Sequence, residues 1–215
     1  MLKNLYKNYI DNKRWRWREK NNISRLKNNN FTIICNNCDA GIIYNSLKQK
    51  FLTPTINLWL EDEDYLKLIY NLKEFIEKGE LEQLEQTDYD YPVGLLKAPC
   101  GEVKIMFMHY KTFEQAKEKW IERSSRINWD NLFYLFEIKP TCTEQSIKLF
   151  EDFNSSNKEM ISFGVETNNP SVNKIKVKGK YLDGIAVKYQ SRFSAKRWID
   201  NFDYVSFLNG ESEKI

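Results

Sequence analysis

The stretch FTIICNNCDAGIIYNSL, Phe31 to Leu47, decides the fold. It opens on a β-branched apolar run, crosses a turn rich in Asn and Asp, and continues with apolar residues at helical spacing. A short continuous apolar run bounded by turn residues is the pattern of a buried strand. Asn and Asp suit the turn that follows because their side chains bond nearby backbone groups. The stretch therefore predicts a strand, a loop and a helix beginning near Gly41, with Cys35 and Cys38 at the loop.

The same unit recurs along the chain. INLWL (56–60) reads as a strand. In EDEDYLKLIYNLKEFIEKG, Tyr65, Leu68, Ile69, Leu72, Phe75 and Ile76 fall on one face, predicting a single helix with Asp62 at its start and Gly79 at its end. VGLL (93–96), the turn APCG and EVKIMFMHY (102–110) predict a hairpin that ends at the only histidine, His109. Thr112 and Gln115 form a capping box opening the helix FEQAKEKWIERSSR. NLFYLFEI (131–138) and ISFGVE (161–166) are further strands, with a helix opened by Thr141 and Glu144 between them. KIKVKGKYLDG suggests a surface hairpin and SRFSAKRWIDNF a last helix. This alternation predicts an α/β fold, layered α/β/α, with a mixed, mostly parallel sheet in a single domain over residues 30–210. Residues 1–29 are set apart as a basic N-terminal helix, an amphipathic arm with Leu2, Leu5, Tyr6, Tyr9 and Ile10 on one face.

Composition narrows the function. Hydrophobic residues make up 41% of the 215-residue chain, enough for one substantial core. With 33 basic and 30 acidic side chains the net charge is +3, too balanced for a nucleic-acid footprint over the whole surface. Four cysteines without a cationic-then-apolar leader point to reduced thiols in a cytoplasmic protein. No apolar run approaches the roughly 20 residues that span a bilayer. KRWRWREK interleaves cations with indoles, a composition suited to peripheral contact with anionic membrane through Arg14, Arg16 and Arg18, or to docking of the indoles on the domain.

FTIICNNCDAGIIYNSL, YPVGLL and MHYKTFEQAKEKWIERSSRINWDN together resemble an uncharacterised bacterial domain family found in capsule and exopolysaccharide biosynthesis loci. The likeness spans about residues 31–137. Asn36, Asn37, Cys38 and Gly41 fall on the family's pattern, as do His109, Tyr110, Asn128, Trp129, Asp130 and Asn131. Cys35 departs from it, since serine is usual there, and Ala40 stands where a second small residue accompanies Gly41. What the resemblance implies is a setting, bacterial surface polysaccharide, more than a reaction.

In open α/β sheets ligands bind outside the carboxyl ends of the strands. The predicted strands place Asn36, Asn37 and Cys38 at one such end, Glu61 and Asp62 at a second, His109, Tyr110 and Lys111 at a third, then Glu137, Lys139 and Thr141, then Glu166. Polar strand ends are also simply turns and caps. From the functional side, Cys38 at a helix N-terminus and His109 as base form a candidate nucleophilic pair, with Asn36, Asn37, Asp62 and Tyr110 binding substrate. A free cysteine is equally a small buried hydrophobe. Zinc is not expected, because Cys35-x-x-Cys38 lacks a second closely spaced pair, and no disulfide is expected between Cys35 and Cys38. RINWDN (126–131), at the opposite pole, reads as helix termination with a buried indole. Neither G-x-G-x-x-G nor a P-loop is present, so the cofactor stays unknown. The expected function is a transferase acting on a sugar or sugar-linked small molecule, with a noncatalytic saccharide- or partner-binding module, and then a thiol-redox protein, as the alternatives.

Overall fold

The computed structural model describes residues 2–178, 182, 184–191, 194 and 196–211, without the side chains of residues 2–8, 11, 14 and 15. The side chains of Leu2, Leu5, Tyr6 and Arg14 of the arm, and the turn of the hairpin expected in KIKVKGKYLDG, lie outside what is described.

Four parallel strands, β1 (Thr32–Cys35), β5 (Leu132–Ile138), β6 (Lys158–Phe163) and β7 (Val172–Ile175), pair in the order β1-β5-β6-β7. Three antiparallel strands, β2 (Glu80–Gln83), β3 (Val93–Ala98) and β4 (Gly101–Met106), pair in chain order. Residues 58–60 join the two groups. Trp59 pairs antiparallel with Met106, and the Leu60 N–H donates to the Asn36 carbonyl at 2.8 Å. Strand β2 was not anticipated, and INLWL forms only this short joint.

Side chains alternate across the sheet as the strand pleat requires. Ile34, Tyr134, Phe136, Ile138 and Met160 face one layer, built from α3 (Asp62–Tyr70), α4 (Leu72–Lys78), α5 (Phe113–Ser124) and α6 (Glu144–Asp152). Ile33, Cys35, Phe133, Leu135, Ile161 and Phe163 face the other, built from α2 (Asp39–Ser46), α7 (Tyr204–Leu208) and 3₁₀ turns at Ile185–Val187 and Trp198–Asn201. The layered α/β architecture and the mostly parallel character of the larger sheet are therefore as expected.

Local departures have local causes. The single helix expected over 62–78 is broken at Asn71, whose side-chain amide donates to the Lys67 carbonyl at 3.3 Å and competes with helix propagation. Thr143, not Thr141, caps α6, accepting from the Ser146 N–H at 3.0 Å. The last predicted helix is instead the turn Trp198–Asn201 followed by α7, which Asp203 caps. RINWDN does tie the amino pole together, with Asn128 and Asn131 bonding residues 28–32, but the Trp129 indole is 39% exposed rather than buried.

The N-terminal helix, α1 (Leu2–Arg25), is anchored along its second half. Arg18 is buried and pairs with Asp200 at 2.5 Å, the Asn22 amide donates to the Tyr204 hydroxyl at 2.7 Å, and Arg25 meets Asp203 at 2.5 Å. Arg18 is thus committed to the protein interior and not to a membrane-facing surface, while Trp17 is 74% exposed. Among the described residues no helix is long and apolar enough to cross a membrane.

Candidate functional site

Chain direction sets the site. After β1 the chain turns into α2 on one face of the sheet; after β5 it turns into α6 on the other. Adjacent parallel strands whose connections leave to opposite faces open a crevice at their carboxyl ends, the usual ligand position in such sheets. Residues 36–39 and 137–142 stand at those strand ends.

Asn36, expected to bind substrate, is fully buried and fully used. Its amide donates to the Glu137 carbonyl at 2.9 Å and its oxygen accepts the Glu137 N–H at 3.0 Å. The side chain imitates a further rung of the ladder and clasps β1 to β5. It is a structural residue. Replacing it with alanine strands a buried N–H and C=O, so Asn36→Ala is expected to cost about 2–4 kcal/mol in a urea melt; a loss under 0.5 kcal/mol would show that the clasp contributes little.

Asn37 remains at the site as a bridge. One amide group donates to both the Asp39 carboxylate, at 3.4 Å, and the Glu137 carboxylate. Its oxygen accepts the Asp39 N–H at 2.9 Å and the Cys35 thiol at 3.1 Å. Two carboxyl groups are thereby gathered around one donor. Burial lifts the Asp39 carboxyl to about 7, opposed by the Asn37 hydrogen bond and by the Lys139 charge. Lys139 lies over the Trp59 ring, its Nζ 4.6 Å from the centroid, and its charge reaches Asp39, Asp62, Cys38 and Cys142. Asp62 is buried at the start of α3, where desolvation raises its pKa against hydrogen bonding from Cys142 and the pull of Lys139. Its Oδ1 has no hydrogen-bond partner. Among the described residues these acidic and thiol groups do not form a cluster shaped for a metal ion.

Cys38, expected as the nucleophile, sits where its surroundings work against the thiolate. Cys38 stands at the N-cap of α2, yet burial and the neighbouring Asp39 push its thiol up to about 11, and its Sγ donates to the Leu58 carbonyl at 3.5 Å. Cys35 is buried in the core, and all four cysteines are free. His109 does not join the crevice because β4 runs antiparallel to residues 58–60. The chain leaving Met106 travels back toward Ile56, whose carbonyl accepts from the Tyr110 hydroxyl at 3.3 Å. His109 is exposed in that turn, and no described residue bonds to its ring. Tyr110 does approach Cys38: burial raises its phenol, Arg123 at 2.7 Å opposes this, and charge on Cys38 would raise it further.

The site thus gathers Asn37, Asp62 and Cys38 with Asp39, Glu137, Lys139 and Trp59. Asp39 was legible as the residue beside Cys38 at a helix start, but the thiol drew the reading; Glu137 and Lys139 stood among the polar strand ends without a role.

A family model described as Domain of unknown function (DUF1919) matches residues 9–209. A protein of Haemophilus influenzae (strain ATCC 51907 / DSM 11121 / KW20 / Rd), described as an uncharacterized protein, is 32% identical over 199 residues, covering 92% of this chain and 94% of its own length.

Proposed function

The chain belongs to the DUF1919 family, and we propose that it is a group-transfer enzyme acting on a sugar or sugar-linked substrate, with Asp39 as its general base. The observation that carries the reading is Asp39 itself, a buried carboxyl held near neutrality beside Asn37, Glu137 and Lys139 at the crevice between β1 and β5. A base poised near the working pH is the most effective kind. In the step, Asp39 takes the proton of a substrate hydroxyl and the freed oxygen bonds to the transferred group. The bond to the leaving group breaks, and Lys139 faces the negative charge that departs with it. The resemblance of the sequence motifs to a domain family of capsule and exopolysaccharide loci supports bacterial surface saccharide as the substrate.

A saccharide-binding module without chemistry is the second reading, favoured by the upward shift of the Cys38 thiol and by the exposed position of His109 in the turn after β4. One experiment separates the two. Nucleotide sugars and acyl donors are screened by thermal shift, then incubated with neutral oligosaccharides and the products weighed by mass spectrometry. Transfer that falls about 10²–10⁴-fold in Asp39→Asn, with donor binding kept, is the expected outcome. Binding without any transfer selects the module.

A further inference from the structure

Away from the strand edge lies a cavity of about 520 Å³ between residues 83–93 and the start of α5. We propose that it is a subsite for a neutral oligosaccharide. The proposal deepens the saccharide reading and rests on it for the ligand class, but not on the chemistry of Asp39.

Size comes first. The volume falls within the ~300–1,000 Å³ of small-ligand sites. Charge then selects the ligand: Glu85, Asp90 and Glu114 line the cavity against a single cation, Lys111. A phosphate or nucleotide would meet net repulsion there. An uncharged polyol meets carboxylate and hydroxyl acceptors for its O–H groups.

The aromatic side chains supply the second half of the match. Tyr89 and Tyr91 line the cavity and stack on each other, with centroids 5.0 Å apart and planes at 19°. Tyr89 is nevertheless 40% exposed. Trp59 meets Tyr89 edge to face at 6.1 Å and donates its indole N–H to the Tyr91 hydroxyl at 3.2 Å. A pyranose ring carries an apolar C–H face and a rim of hydroxyls. The cavity's mostly polar lining suits the rim of hydroxyls and the exposed part of Tyr89 offers a small apolar surface to the C–H face, whereas an apolar ligand would leave the acids unpartnered.

Trp59 also links this cavity to the crevice, since the same indole lies beneath the Lys139 ammonium. A glycan seated on Tyr89 and Tyr91 would therefore share the Trp59 indole with Lys139 of the proposed reaction.

The test follows the Trp59 indole N–H by nitrogen-edited NMR, its signal identified by its loss in Trp59→Phe. Maltotetraose, chitotetraose and a mannose tetrasaccharide are titrated to about 10 mM, with tetragalacturonate, an anionic tetrasaccharide, as the comparison. At least one neutral tetrasaccharide is expected to move the signal, and its affinity is expected to fall about tenfold or more in Tyr89→Ala while staying unchanged in Asp39→Asn. Tyr89 is exposed, so that variant keeps the fold. Silence across the three tetrasaccharides, a shift undiminished in Tyr89→Ala, or an equal affinity for tetragalacturonate each overturns the proposal. Tetrasaccharide binding without transfer activity would instead leave the subsite standing and remove the Asp39 reaction.

Discussion

Replacing Asp39 with asparagine is expected to make the fold more stable above pH 7. An ordinary aspartate titrates near 3.9 in an unfolded chain, whereas burial lifts this carboxyl to about 7 in the folded protein. Between those values the native state holds a proton that the unfolded state has released. Stability therefore falls as pH rises from about 4 to about 7, and the loss is complete above the folded pKa. At about 1.4 kcal/mol per pKa unit the full penalty is roughly 4 kcal/mol, with little screening because the side chain is buried. Asparagine keeps an oxygen for the Asn37 donor and cannot ionise. Urea melts between pH 5 and 8 should show wild-type stability declining against a flatter Asp39→Asn profile; parallel profiles would mean that the carboxylate is ionised and compensated throughout. A residue that lowers stability at neutral pH while a neutral isostere fits the same place is the signature of a site held for chemistry.

The sequence carried the sheet further than it carried the site, and the reason is locality. IIC (33–35) and LFYLF (132–136) are runs of apolar and aromatic residues because both their faces are covered, and such a run is visible without knowing what covers it. The capping residue Thr112 is legible too, since its partner Gln115 lies three residues away. The direction of β4 relative to residues 58–60 depends on which strand it meets after a long excursion. Assuming it parallel sent His109 to the wrong end of its neighbour. Asn36 is a similar case. An asparagine after a strand suggests a turn or a ligand donor, and only the arrival of Glu137, a hundred residues later, gives its amide a backbone to clasp. The lift in the Asp39 pKa likewise comes from burial, which the tertiary fold supplies.

Tyr65→Ala is expected to be the most damaging single truncation considered, at about 4–5 kcal/mol out of the ~5–15 that hold a domain together. The ring is completely buried in the layer beneath the site, stacked on Phe136 at 5.4 Å and near Phe150 at 6.2 Å. Its hydroxyl lies 3.0 Å from the Ile34 carbonyl and 3.1 Å from that of Leu135, so one O–H is shared between β1 and β5. Both carbonyls sit just before the strand ends that Asn36 clasps. Tyr65→Phe keeps the packing and removes only this shared bond, which is worth about 1 kcal/mol. The two variants thus separate the contribution of the ring from that of the bridge, and a chemical melt reads both. The bridge has a further consequence at the site. If it helps hold β1 to β5, the Glu137 amide, bonded to the Asn36 oxygen at 3.0 Å, should exchange its hydrogen faster in Tyr65→Phe than in wild type. Equal protection would show that Asn36 alone fixes the strand ends, and that the geometry around Asp39 does not depend on the tyrosine below it.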